Sequence, residues 1–258
     1  YIDQKITSFK TRVFKFANYF ERKYLKLADV VIAANIERAN IMKEHYSLDQ
    51  VPLVFDNLHI IKDDYDIDEC VIKYSKYFHG NKFTMVYAGG IAENRKTFDL
   101  VDAVSNLGPR YNLIIAGSAT KDEVAKLNKV IQTKKYNNVV YVGFISRSEL
   151  RYLFNKAKIS VSAFSQDTLN NMYCASGKIY ESIFENTPVL TTENPPLKRL
   201  CEDNGIGIST SNFKDGILQI EKKYEEFQKS IESYKVNLDT DTRIEKLYDV
   251  IMKRINKR

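Results

Sequence analysis

From Phe83 onward the chain alternates short apolar runs with helical segments, and this alternation restricts the possible folds more than any other feature. The runs fall at about 83–88, 112–116, 138–142, 158–163, 188–191 and 206–209. They are rich in Val, Ile and Tyr and lack a strict period of two, which predicts strands covered on both faces by crossover helices. Two helix starts are marked as well: Thr120 with Glu123, and Ser146 with Glu149, fit the capping box in which hydroxyl and carboxylate satisfy orphan amides reciprocally. The expectation is an α/β fold with a complete, doubly wound, Rossmann-like parallel sheet over roughly 83–210.

The flanks are less complete. Ile2, Ile6, Phe9, Val13, Phe16, Phe20, Tyr24 and Leu27 recur at helical spacing, so the first segment predicts one amphipathic helix. A strand over Ala28 to Ala34, a helix near Glu37 to His45 and a strand over Val51 to Phe55 follow. These pieces are too few for a second domain and predict the tail end of one over 1–58, then a linker and helix over 59–82. The sheet domain then runs over 83–234 and a last helix over 235–258, with the closing helices read at 212–234 and 241–256. A first residue of Tyr inside a helical pattern suggests a piece of a longer chain.

Composition removes several classes. Hydrophobic residues at 44% and charged residues at 28% exclude a disordered, collagen-like or coiled-coil chain. No apolar run approaches the roughly 18–20 residues of a membrane span. Cys70, Cys174 and Cys201 are an odd number with no C-x-x-C pair, which suits a reducing, cytoplasmic setting, and the three histidines lie far from them, so metal centres and Cys–His pairs are disfavoured. The net charge of +6 sits at the ends: residues 1–27 carry seven basic side chains against two acidic ones, and 250–258 add four basic ones. Basic ends fit contact with an anionic membrane surface and argue against a nucleic-acid footprint.

In a doubly wound sheet the ligand lies beyond the carboxyl ends of the strands, so the turns after the apolar runs hold the candidate site. In the first, Gly89 and Gly90 end a strand and Arg95 and Lys96 precede a helix. Glycines admit close approach to an anion that the basic side chains can neutralise. The second is Val142-Gly143-Phe144, with Gly117 a similar strand-end glycine. The third is Ser176-Gly177-Lys178-Ile179-Tyr180-Glu181, where Lys178 and Glu181 share a helical face; the carboxylate suits a pair of sugar hydroxyls, and the lysine either steadies it or meets a phosphate. Taken singly, each also reads as an ordinary turn or surface pair. Neither a Walker loop nor a G-x-G-x-x-G fingerprint is present.

The order of these pieces resembles the GT-B-fold, nucleotide-sugar-dependent glycosyltransferases of group 1 over nearly the whole chain. Ala28 to Ala33 and Val51 to Asn57 look like the last strands of the family's N-terminal domain. Tyr87 to Lys96 resembles its glycine-rich turn, Leu113 to Gly117 and Val140 to Phe144 its next strands, and Ser176 to Leu190 its lysine-x-x-glutamate helix and proline-valine strand. The resemblance implies that Lys96 holds the donor diphosphate with Gly89, Gly90, Arg95 and Lys178 nearby. It further implies that Glu181 binds the ribose hydroxyls and that Val142, Gly143 and Phe144 receive the base. Tyr173, Ser176 and Gly177 would line the sugar side. Two positions depart from the family: Gly90 stands where many members have arginine, and Tyr173 where many have a second glutamate eight residues before the one matched by Glu181.

The resemblance thus implies the C-terminal, donor-binding half of a GT-B fold plus an incomplete N-terminal fragment. It implies a retaining, metal-independent hexosyltransferase-type transfer from a nucleotide-sugar, UDP-linked, to a glycan or polyprenyl-linked acceptor in capsular or other surface polysaccharide synthesis. No cofactor beyond the donor substrate is expected, and no nucleic acid. The basic amphipathic first helix fits either a peripheral position at the inner face of the plasma membrane or packing of its apolar face on the missing N-terminal domain. Two alternatives stay open at this level: a non-catalytic nucleotide-binding module and a GT-B-like sugar-nucleotide epimerase.

Overall fold

The computed structural model of the chain describes residues 9–58, 67–134 and 137–256. The start of the first predicted helix, most of the linker before residue 67 and the last two basic residues lie outside the described residues.

A six-stranded parallel sheet dominates. Its strands are β3 (Phe83–Ala88), β4 (Tyr111–Ala116), β5 (Val139–Tyr141), β6 (Ile159–Ser162), β7 (Val189–Thr191) and β8 (Gly207–Ser209), in the order β5-β4-β3-β6-β7-β8. The order reverses between β3 and β6, where Met85, Val86 and Tyr87 pair with Ile159, Ser160 and Val161. Both faces are buried, which is why the runs do not alternate. Phe83, Met85, Tyr87, Leu113 and Ile115 enter one core cluster with Leu100, Val104 and Ile217. Val86 and Ile114 enter another with Leu153 and Phe154. The helices covering these faces are α3 (Ile67–Tyr74), α4 (Thr97–Ser105), α5 (Lys121–Gln132), α6 (Arg147–Lys156), α8 (Gly177–Phe184), α9 (Pro195–Asp203) and α10 (Phe213–Lys222), while the short α7 (Leu169–Met172) lies in the loop after β6.

Both predicted capping boxes form. Thr120 N–H donates to Glu123 at 2.7 Å while Glu123 N–H donates to the Thr120 hydroxyl at 3.3 Å, and Ser146 and Glu149 repeat the pattern at 2.7 and 3.2 Å. Glu149 also receives bonds from Lys73 and Tyr74, tying α3 to α6. Burial pushes its carboxyl up, but these bonds and the Ser146 amide outweigh that and hold it at about 2.

Two expectations are corrected. The helix read over 212–234 is two, α10 and α11 (Tyr224–Val236), broken at Lys223, whose φ of −115° and ψ of 24° leave the helical region. The break lets Phe213, Ile217 and Ile220 face one core cluster while Ile231 and Tyr234 reach another. The strand read over Ala28 to Ala34 is only β1 (Ile32–Ala33), because it pairs solely with the two residues of β2 (Leu53–Val54). That small parallel sheet, with α1 (Phe9–Tyr24) and α2 (Ile36–Tyr46), forms the N-terminal part. Ion pairs tie it to the sheet domain and to the last helix: Glu37 with Arg199 of α9 at 2.7 Å, and Asp56 with Arg243 of α12 (Thr240–Ile255).

Candidate functional site

The carboxyl ends of β3, β4, β5 and β6 lie side by side where the strand order reverses, the place at which a doubly wound sheet forms its ligand crevice. Three strand-end glycines are stitched side by side there. Gly89 N–H donates to the Ala116 carbonyl and Gly117 N–H to the Gly143 carbonyl, each at 2.9 Å. Gly117 has φ of +144°, and a Cβ on it would lie 1.9 Å from the Gly89 carbonyl oxygen, so no other residue fits. Gly143, at φ +82°, has open space around it. Two tyrosine hydroxyls brace the turns, Tyr87 donating to Gly90 O and Tyr141 to Gly117 O, both at 2.8 Å. Burial raises the Tyr87 hydroxyl above its ordinary range. Beside Gly143, Phe144 is 82% exposed, an aromatic face offered to solvent at the mouth of the crevice.

The far wall is the start of α8. Glu181 has a side chain only 2% exposed and accepts from Lys178 Nζ on both carboxylate oxygens, at 3.0 and 2.9 Å. Arg147, at the first position of α6, brings its Nε to 3.8 Å from the same carboxylate. A carboxylate offers about four acceptor positions, so with Lys178 taking one on each oxygen, room is left for two incoming hydroxyls. The N-cap, Ser176, makes no capping bond of its own; its hydroxyl accepts from Ser162 at 2.9 Å.

The chain matches the model of the family "Glycosyl transferases group 1" over residues 72–245, more than half its length. It belongs to the group 1 glycosyltransferases. No curated protein sequence matches it. Among solved structures it is similar to Alr3699/HepE of Anabaena in complex with UDP, with TM-score 0.74 and 15% identity over 93% of this chain and 67% of that one. It is similar also to a glycosyltransferase of Rickettsia africae ESF-5, with TM-score 0.72, 13% identity and coverage of 100% and 70%. A third, WaaG, a glycosyltransferase involved in lipopolysaccharide biosynthesis, gives TM-score 0.61, 18% identity and coverage of 85% and 62%. At these identities the likeness is one of fold. In two further HepE structures the chain spans 59% and 61% of the neighbour's length.

Within this group 1 glycosyltransferase the structure separates the two adjacent basic residues of the first turn. Arg95 lays its guanidinium over the Phe164 ring at 4.4 Å, and its charge reaches Tyr87 and Cys174 at the crevice. Lys96 takes a left-handed conformation at φ +53°, pairs with Asp99 at 3.0 Å and lines a cavity of about 310 Å³ with Phe164, Ser165, Gln166, Thr192 and Glu193. Lys178 faces Glu181, and Tyr173 lies on the loop entering α8, half-buried. Sequence reasoning missed Arg147; its signal was the Ser146–Glu149 box, which fixes position 147 at a helix start beyond β5. It also missed Asn35, Arg38 and Asn57, whose side chains bond the Asn170–Ala175 loop from far away in sequence. Cys174 on that loop is buried and its thiol is pushed up to about 12, so it is no nucleophile. Among the described residues no cluster of three or more His, Cys, Asp or Glu is placed to hold a metal, and no helix is long and apolar enough to cross a membrane.

Proposed function

We propose that this chain is the donor-binding part of a retaining, hexosyltransferase-type enzyme that transfers a sugar from a UDP-linked donor to a glycan or polyprenyl-linked acceptor in surface or capsular polysaccharide synthesis. Residues 83–234 form the donor domain, 1–58 the end of an acceptor-side domain, 59–82 the linker and helix between them, and 235–258 the helix crossing back. The observation that carries the reading is Glu181: a buried, doubly flanked carboxylate at the carboxyl end of a doubly wound sheet, in a segment that resembles the family's lysine-x-x-glutamate helix. HepE structures that hold UDP, UDP with glucose, and UDP-glucose support the choice of nucleotide and donor.

In this reading Glu181 takes the ribose hydroxyls and the Val142 to Phe144 turn the base. Gly89 and Gly90 let the diphosphate approach the backbone, and Arg95 supplies positive charge. Lys96 holds the diphosphate beside Arg95, exchanging its exposed pairing with Asp99 for the donor. Positive charge preorganised around the departing diphosphate stabilises it without a resident metal, and the donor itself is the only small molecule required. The exposed Phe16, Tyr19, Phe20 and Tyr24 of α1, beside Arg22 and Lys23, support a position at the cytoplasmic face of an anionic membrane carrying a lipid-linked acceptor.

Calorimetric titration with UDP, GDP and ADP, with and without EDTA, tests this. UDP binding that survives EDTA is expected, falling roughly 10- to 100-fold in Glu181→Ala, the equivalent of losing about 1.5–3 kcal/mol of hydrogen bonding to a charged group. Equal affinity in parent and variant removes the ribose assignment.

A further inference from the structure

The loop that enters α8 is gripped by the N-terminal part of the chain. Arg38 donates from Nε to the Tyr173 carbonyl at 2.6 Å and from one terminal nitrogen to the carbonyl and side-chain oxygens of Asn170 at 3.1 and 2.9 Å. Asn35 donates to the carbonyls of Tyr173 and Cys174 at 3.2 and 3.4 Å, and Asn57 to that of Ala175 at 3.0 Å. Asn35 is itself fixed, since its oxygen caps α2 by accepting from Arg38 N–H at 2.8 Å. The grip therefore falls on consecutive carbonyls just before Ser176, Lys178 and Glu181.

A trans peptide plane puts a carbonyl oxygen and the following N–H on opposite sides. With Cys174 O and Ala175 O turned towards Asn35 and Asn57, the N–H groups of Ala175 and Ser176 point the other way. These two, and the first-turn amides of Gly177 and Lys178, have no hydrogen-bond partner among the described residues. The charges of Arg95 and Arg38 both act on Cys174.

We propose that Arg38, with Asn35 and Asn57, positions this loop so that its amides meet the phosphates of the bound nucleotide, making phosphate recognition by the sheet domain depend on the N-terminal part. The proposal rests on the nucleotide reading above and adds the positioning residues that reading lacks. Arg38 touches no nucleotide atom in this arrangement; it acts through the loop.

The test compares UDP with UMP, which share base and ribose and differ in the outer phosphate. Titrations of the parent, Arg38→Ala, Arg38→Lys and Asn57→Ala are read beside their thermal midpoints. Arg38→Ala is expected to weaken UDP about tenfold while UMP changes less than about threefold. Arg38→Lys should recover part of the loss, since an ammonium reaches one carbonyl but cannot fork across the loop. An unchanged UDP affinity, or equal losses for UDP and UMP, overturns the positioning role while leaving the nucleotide reading intact. A parent that binds neither overturns both. If Arg38→Ala fails to fold, the Arg38→Lys and Asn57→Ala ratios decide by the same criterion.

Discussion

The turns after β3, β4 and β5 and the loop after β6 bound the same crevice, yet different physics holds them. On the glycine side, neighbouring strands bring backbone against backbone, and Gly117 leaves no space for a side chain against Gly89. On the loop side nothing is that close. Asn171 donates to Ser165 and Asp167, and the fully buried Asn194 donates to the carbonyls of Ser165 and Asn171 at 3.2 and 2.9 Å while accepting from Thr192 at 2.6 Å. Arg38, Asn35 and Asn57 complete the hold from the other part of the molecule. One wall is set by sterics and fixed once the sheet forms; the other is set by amide side chains and is only as firm as its hydrogen bonds.

The hardest blow to the steric wall is Gly117→Ala. A methyl 1.9 Å from a carbonyl oxygen, on a backbone at φ +144°, forces the β3 and β4 turns apart. Strain and overpacking together cost about 3–5 kcal/mol. Thermal unfolding should show a fall of roughly 10 °C or more for a chain of this size. Gly143→Ala sharpens the point: its φ is +82° but its surroundings are open, so it should cost about 1 kcal/mol. Equal midpoints for the two variants would show that close approach is not what holds this wall.

The amide wall is tested by Asn194→Ala. The change strands the buried Ser165 carbonyl and the proton of the Thr192 hydroxyl, at about 1–3 kcal/mol for each group left unsatisfied, and takes one of two bonds from the Asn171 carbonyl, which keeps the Cys174 N–H; water entry relieves part of this. A net loss of about 3 kcal/mol is expected, together with weaker UDP binding, because the loop carrying Tyr173 to Gly177 loses its inner anchor. Gly117→Ala and Asn194→Ala lie on different walls, so their stability losses should add. A coupling well above about 0.5 kcal/mol would mean that the walls form one unit and that the contrast drawn between them is false.

The two walls also differed in how far the sequence disclosed them. Strands β3 to β8, the Thr120 and Ser146 caps and the strand-end glycines rest on local rules of periodicity, capping and backbone freedom, which a single segment displays. Glu181 and Lys178 were legible for the same reason, being one helical turn apart. The grip of Arg38 on Tyr173 was not, because a side chain bonding a backbone carbonyl 135 residues away imposes no pattern on either segment. Arg95 and Lys96 are adjacent, so spacing alone could not tell their surroundings apart; the left-handed backbone at Lys96 places its side chain beside Asp99 while Arg95 lies over the Phe164 ring. The break at Lys223 was hidden because the apolar pattern runs through it and only the two core clusters, invisible in one dimension, demand the turn.

Lys178 gives the smallest expected effect and the finest distinction, between a residue that meets phosphate and one that orients a carboxylate. Its Nζ contacts both oxygens of Glu181 while its side chain is 41% exposed, so as an ion pair alone it contributes little, below about 1 kcal/mol. Its value is orientation: with Lys178 removed, Arg147 at 3.8 Å is the remaining cation beside the buried carboxylate, and the carboxylate is free to turn towards it. In Lys178→Met the preference for UDP over 2′-deoxy-UDP should therefore shrink by about three- to fivefold, while 2′-deoxy-UDP itself binds nearly as before. A lysine acting on the diphosphate would instead weaken both nucleotides alike and leave their ratio unchanged. The ratio thus assigns Lys178 either to the ribose end of the site or to its phosphate end, and an unchanged ratio would put a cation back among the amides of the loop wall.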